Sequence, residues 1–365
     1  MGIKKIFILS TLLLMCNSLL YAQNTIDSLD IKIGQMILVG LDARTSITPA
    51  DPLAADIRNG KVGGVLIFEK NIAKAYGKRE LTNMIDVLQE QAPSPLLITI
   101  DEEGGKVHRL KKKYGFVKMP SAQELGRINN TDSTYYYYKR LAAEMATVGI
   151  NLNFAPVVDV AVNPNNPVIV RVKRSFSKNP NVVTRHAIAC IDAHHYFGVK
   201  TILKHYPGHG SSMGDSHKGL VDVTNSWTYK ETEPYRQIIR SGKCDAIMTA
   251  HIVNRNWNSD GLPATLSKDV ITDSIRGSLG FDGVVISDDM NMHAISENYG
   301  YNEAIKMAIN AGVDVLMFGN NVNTSQGFMT PAKIHGIIRD YVEKGEIPMW
   351  RINQSYERIL KLKQF

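Results

Sequence analysis

The sequence predicts an α/β fold: a single domain built as a (β/α)8 TIM-type barrel. Short apolar, β-rich runs alternate with longer amphipathic stretches, the signature of a parallel sheet with crossover helices. The apolar runs number eight, which favours a closed barrel over a doubly wound sheet. Side chains able to do chemistry recur where these runs end, and barrel enzymes carry their sites at the C-terminal ends of the strands.

Taken in order, the expected strands are residues 36–40, 65–68, 96–101, 152–155, 201–205, 246–251, 283–288 and 315–319. The stretches between them hold candidate helices at 80–91, 135–147, 182–197, 231–240, 268–279 and 303–311. A last helix over 351–363 would close the barrel. No Pro/Ser-rich linker or short-period repeat interrupts the alternation. At 365 residues and 44% hydrophobic content, the chain can bury one large core. That length would also allow two domains, but single barrels commonly reach it.

Residues 1–22 read as a secretory signal peptide: Lys4 and Lys5, an apolar core from Ile6 to Leu14, and Leu20-Tyr21-Ala22 before polar Gln23. The apolar core is too short for a lasting transmembrane span. Export to the periplasm or medium is therefore expected, with the mature barrel over residues 23–365. Cys16 raises the alternative of lipidation, which Met15 and the apolar Leu19-Leu20 disfavour. Beyond it only Cys190 and Cys244 remain, too few and too far apart for a disulfide framework, and both read as buried thiols. The net charge of +7 is mild and dispersed, and Lys111-Lys112-Lys113 is the sole cationic triplet. Nucleic acid is thus not an expected partner.

The densest polar run is Lys204-His205-Tyr206-Pro207-Gly208-His209-Gly210, followed by Ser211-Ser212-Met213-Gly214-Asp215-Ser216-His217. Its glycines and proline forbid regular structure, so the cations and imidazoles sit where a strand gives way to a loop. Asp215 and His217 are spaced so that a carboxylate can orient an imidazole and raise its proton affinity. Asp101, Lys204, His205, His251 and Asp288 lie at the ends of four different strands, and Arg171 and Arg174 in the loop after the fourth. Their convergence on one mouth is the test the barrel reading makes possible. His205, His209 and His251 lack the spacing of a metal motif, and no metal is expected.

These residues fall in motifs that resemble the β-N-acetylhexosaminidases of glycoside hydrolase family 3. Besides the Lys204 to His217 segment, they are Asp101-Glu102-Glu103-Gly104-Gly105-Lys106-Val107-His108-Arg109, Asn153-Phe154-Ala155-Pro156-Val157-Val158-Asp159-Val160, Arg174-Ser175-Phe176 and Ser287-Asp288-Asp289-Met290. The resemblance covers nearly the whole mature chain. It implies a retaining exo-β-N-acetylglucosaminidase acting on terminal N-acetylglucosamine of peptidoglycan fragments or other glycans, without a cofactor.

Residue by residue, the resemblance implies Asp288 as nucleophile, with Asp289 alternating to the other side of the strand. His217, assisted by Asp215, would be the acid/base, since an imidazole near neutral pKa can give and retake a proton. Asp101, Arg109, Arg174, Lys204 and His205 would contact sugar hydroxyls or the acetamido group, and Met290 would wall the sugar or fill the core. Arg171-Val172-Lys173 departs from the shorter pair usual in the family, leaving the acetamido pocket's shape open. Alternatives are a glycosyl phosphorylase, because a histidine donor does not repel an anionic acceptor, and a non-catalytic secreted sugar-binding protein. Should His217 only support its loop, Glu102 or Glu103 becomes the candidate donor.

Overall fold

The computed structural model describes residues 28–364 except 323, 325 and 326; the signal-peptide reading and Cys16 lie outside them. Eight parallel strands form the central sheet: β1 (Ile37–Gly40), β2 (Gly64–Ile67), β3 (Leu97–Ile100), β4 (Leu152–Asn153), β5 (Lys200–Tyr206), β6 (Ala246–Thr249), β7 (Val284–Ser287) and β8 (Leu316–Phe318). They run in the order β8-β1-β2-β3-β4-β5-β6-β7. The circle closes between β7 and β8, where Ser287 N donates to Val315 O at 3.0 Å and Asp314 N to Val285 O at 2.8 Å. This is the (β/α)8 TIM-type barrel the alternation predicts. Strands β1, β2, β3 and β7 are nearly continuous Val/Ile/Leu runs because both faces are covered, by the barrel interior on one side and helices on the other. Every residue of β1, β2, β3, β6 and β7 is buried.

Each strand feeds a crossover helix. Pro52–Arg58, Gly77–Gln91, Thr131–Thr147, Pro180–His195, Glu233–Arg240, Tyr301–Ala311 and Pro331–Glu343 follow strands β1 to β5, β7 and β8. Their starts are written locally. Asp51, Asn179 and Thr330 each cap a helix whose first turn holds a proline, which places no needed N–H there. The stretch after β6 departs from a plain helix: Asp269–Ser278 winds as a π-helix, and Leu279 N reaches back to Ser274 O. Side-chain periodicity over ten residues does not distinguish this from an α-helix. A two-residue parallel pair, Val221–Asp222 with Ile252–Val253, also lies outside the predicted elements.

Polar groups fasten the bottom of the barrel. The fully buried Asp314, just before β8, accepts from Arg276 at 2.7 Å, Val285 N at 2.9 Å, Arg351 at 2.8 Å, Ser355 at 2.9 Å and Arg358 at 3.4 Å. It thereby ties the π-helix, β7 and the C-terminal helix Met349–Leu362 to the closing seam. Lys363, one residue further, donates to Gln35 Oε1 at 2.5 Å, Gly63 O at 2.8 Å and Pro95 O at 2.7 Å. Cys190 is a buried free thiol, whereas Cys244, also free, is only half-buried. No helix among the described residues is long and apolar enough to cross a membrane.

Removing one partner from a buried ion cluster strands the others without compensation, at a cost of about 3–5 kcal/mol. Asp314→Ala, which leaves three arginines facing one another, should therefore lower unfolding free energy by about that amount in urea denaturation. A loss under about 1 kcal/mol would show that the seam does not depend on Asp314.

Candidate active site

The C-terminal mouth of the barrel gathers the residues singled out in the sequence. Asp101 follows β3, Lys204 and His205 lie near the end of β5, His251 lies two residues beyond β6, and Asp288 follows β7. One wall is an ion network. Lys204, only 2% exposed, places Nζ 2.5 Å from Asp101 Oδ1 and 2.7 Å from Glu103 Oε1. Arg174 grips the same Glu103 with two parallel bonds, Nε to Oε2 and Nη2 to Oε1, each 2.7 Å, and donates Nη1 to Val168 O at 3.0 Å. Such bidentate pairing fixes a guanidinium in direction as well as place. Burial alone would raise the Glu103 pKa, yet Arg174 and Lys204 hold it well below the usual carboxylate range.

Asp159 organises the next stretch of rim. It accepts from His205 Nδ1 at 2.7 Å and His205 N at 3.2 Å, and from His209 N at 2.7 Å. With Nδ1 bound there, His205 turns Nε2 toward Arg174 Nη2, 3.3 Å away. The buried Glu102 supports the turn that carries Arg109, accepting from Arg109 N at 2.7 Å, Leu110 N at 2.8 Å and His108 Nδ1 at 2.5 Å. Gly104 and Gly105 make this turn with positive φ. Arg109 Nε is buried and has no partner among the described residues. A half-buried guanidinium with an unspent donor suits an oxygen-rich ligand.

Asp288 and Asp289 are divided by strand alternation. Asp289 turns to β8 side, where Oδ1 accepts from Gly319 N at 2.9 Å and Asn291 N at 2.9 Å. Its pKa is pushed up to about 6, by burial and by the neighbouring Asp288. Among the described residues no cation is bonded to the Asp288 carboxylate, whose Oδ1 accepts the Asp289 N–H at 2.8 Å. Burial works against its charge, but the imidazoles of His251, His205 and His217 prevail and hold its pKa below the ordinary value. His251 is fixed between Thr265 Oγ1 at 2.8 Å and Asp289 O at 3.0 Å. Asp288 is therefore the ionised carboxylate of the mouth that no salt bridge consumes.

The loop after β5 brings the second catalytic candidate. Its base is anchored by Asn166 Nδ2 to His209 O at 2.7 Å, Asn163 Nδ2 to Ser212 O at 3.0 Å and Asn163 N to Gly210 O at 3.1 Å. Its tip is open: Met213 is 80% exposed, and the His217 side chain is 58% exposed. His217 Nδ1 lies 2.8 Å from Asp215 Oδ1, which also accepts the His217 N–H at 3.0 Å. The dyad is thus formed locally, with His217 within Coulombic reach of Asp288.

Two expectations change. Met290 is fully covered and packs in the core, donating its N–H to Met317 O at 2.9 Å, so it offers the sugar no wall. Glu102 and Glu103 are both buried and committed, one to its turn and the other to two cations, so neither is placed to donate a proton. Conversely Asp159, which follows the apolar run Phe154 to Val158, carries an organising role that nothing in its local pattern announces.

Residues 28–362 match the family model described as glycosyl hydrolase family 3 N terminal domain. The chain is 33% identical over 341 residues to Beta-hexosaminidase A of Pseudoalteromonas piscicida, covering 88% of this chain and 56% of that one. It is 37% identical over 270 residues to a Beta-hexosaminidase of Tolumonas auensis, covering 73% of this chain and 78% of the relative. A solved glycoside hydrolase family 3 beta-N-acetylglucosaminidase from a Paenibacillus species superposes with a TM-score of 0.84 at 34% identity, covering 92% of this chain and 62% of that one. The chain thus spans less than two thirds of the first and third of these and more of the second.

The Glu103 network also sets a pH dependence. A carboxyl whose folded pKa is depressed contributes stability that is complete above its unfolded value, near 4.5, and lost as pH falls toward the folded one. The wild-type protein should lose on the order of 2 kcal/mol of unfolding free energy through Glu103 between pH 4.5 and pH 3. Glu103→Gln should be less stable at pH 7 and show a shallower decline over that interval in urea denaturation. Parallel declines would mean that Glu103 is not held ionised by Arg174 and Lys204.

Proposed function

The chain belongs to glycoside hydrolase family 3, and from that premise we propose that it is a retaining exo-β-N-acetylglucosaminidase. The single observation that carries this reading is the uncommitted, ionised Asp288 at the end of β7, facing a histidine–aspartate dyad on the adjoining loop. Hydrolysis of a glycoside passes through a transition state resembling an oxocarbenium ion. A carboxylate below the anomeric carbon and a proton donor at the departing oxygen answer its two demands.

In the first step an Asp288 oxygen bonds to the anomeric carbon as the glycosidic C–O bond breaks, and His217 gives its proton to the leaving oxygen. In the second, water attacks the glycosyl ester, His217 takes back a proton, and Asp288 departs as carboxylate. One imidazole can serve both halves because it can both give and accept a proton, and Asp215 orients it. The open loop tip supports a movement in which His217 closes over bound sugar and withdraws for release. No cofactor enters either step.

The sugar is terminal β-linked N-acetylglucosamine, as the names of the hexosaminidase relatives and the Paenibacillus enzyme suggest. Asp101 and Arg109 would hold its outer hydroxyls, while Arg174 and Lys204 would donate to its oxygens, with His205 held beside them between Asp159 and Arg174. With the export segment read from residues 1–22, the substrate would be met outside the cytoplasm, as peptidoglycan fragments or other glycans.

If His217 is the acid/base, its replacement should hurt poor leaving groups most, since a nitrophenolate departs with little protonation. His217→Ala should lower kcat/KM for alkyl N-acetylglucosaminides at least about a hundredfold more than for a dinitrophenyl glycoside. Asp215→Ala should show the same bias more weakly. Equal losses across the leaving-group series would assign His217 to loop support and overturn the proposed step.

A further inference from the structure

Beneath the base of the His217 loop lies a carboxyl that the mechanism does not use. Glu231, at the end of the three-residue turn Tyr229–Glu231, is fully buried. Its Oε2 accepts the Ser211 N–H at 3.1 Å, while the buried Oε1 finds no partner among the described residues. The loop is shaped to admit it. A Cβ on Gly208 would stand 2.4 Å from the Glu231 Cβ, and one on Gly210 would stand 1.7 Å from Val160 O and 3.3 Å from Glu231 Oε2. Gly208 therefore lets the backbone settle onto this side chain, and Gly210 lets it pass close to Val160 O beside it.

We infer that Glu231 is a positioning residue for the proposed acid/base: its carboxyl seats the Gly208 to Ser211 backbone, from which Asp215 and His217 reach the anomeric centre. A carboxylate there would be a second negative charge beside Asp159, in a place closed to water. Among the described residues, Asp159 and Tyr235 are the titratable groups coupled to Glu231, and Asp159 is itself bonded by His205 Nδ1 and His209 N. Burial, then Asp159, push the Glu231 pKa up to about 8, against the Ser211 and Gly210 contacts that favour its charge. Above that pH the seat would carry charge and loosen. The active arrangement therefore depends on the carboxyl retaining its proton.

This inference rests on the reading of His217 as acid/base, so its test separates the two. Glu231→Ala and Glu231→Gln would be assayed across pH 6 to 9.5 with a dinitrophenyl and an alkyl N-acetylglucosaminide, beside His217→Ala. With the dinitrophenyl substrate the first step needs little proton donation, so His217 imposes little alkaline decline on it. Wild-type kcat should then fall around pH 8, the value to which the Glu231 carboxyl is pushed. Glu231→Gln, an uncharged isostere, should remove that fall, and Glu231→Ala should lower kcat for the alkyl glycoside by about tenfold or more, with Gln restoring most of it. If Glu231→Ala does not fold, the comparison of wild type with Glu231→Gln still decides. The same alkaline fall in wild type and Glu231→Gln, or equal damage from Gln and Ala, would overturn the inference. An unselective His217→Ala alongside an altered Glu231→Gln profile would instead overturn the acid/base reading while leaving Glu231 as the loop's seat.

Discussion

A lysine ammonium 2% exposed at the mouth of a barrel must be neutralised where it stands, and much of this site follows from that requirement. Lys204 draws Asp101 from β3 and Glu103 from the turn beyond it to within 2.7 Å. Glu103, so placed, receives the bidentate grip of Arg174 from the long loop after β4. Three strands' worth of rim is thereby locked by one chain of charges. Breaking one link would leave a buried charge exposed to no solvent, the costliest kind of loss in an ion network.

The consequence for chemistry is a partition of carboxylates. Asp101 and Glu103 are spent on cations, Glu102 on its turn, Asp159 on two histidine segments and Asp289 on the N–H groups of Asn291 and Gly319. Asp288 is left with a single backbone contact and a ring of imidazoles that favours its charge. Its neighbour Asp289 is driven the opposite way, toward the protonated form. Two adjacent carboxyls whose environments push their proton affinities apart have separate tasks, one reactive and one structural. The loop bearing His217 completes the set from outside the strands, which is why its base must be seated firmly while its tip stays open.

Much of this was legible in the chain because it is written in local patterns. The eight apolar runs mark the strands, and the expected 246–251 and 283–288 overshoot the observed β6 and β7 by residues 250–251 and 288 at the mouth and by Gly283 at the other end. Lys204 and His205 close an apolar strand, and Asp215 and His217 stand in the glycine-broken run beyond it, where their spacing made the dyad readable. What could not be read depends on neighbours distant in sequence. Glu231 lies in a polar stretch, Thr228 to Glu233, that looks like an exposed helix start; it is buried against Gly208, far away in the sequence. Asp159 is surrounded by apolar residues and shows its role only through His205 and His209. Met290 alternates to the core, and the π-winding of Asp269–Ser278 leaves the same apolar residues in nearly the same order as an α-helix would.

The account stands on Asp288 being the carboxylate that bonds to sugar. A fluorinated N-acetylglucosaminide with a good leaving group, which forms the glycosyl ester quickly and releases it slowly, tests this directly. Incubation, digestion and peptide mass mapping should find one sugar adduct per chain, on the peptide containing Ser287 to Met290, with fragmentation placing it on Asp288. An adduct on Asp289 would contradict the division of the two aspartates, and turnover of the reagent with no adduct on the protein would contradict the covalent mechanism itself.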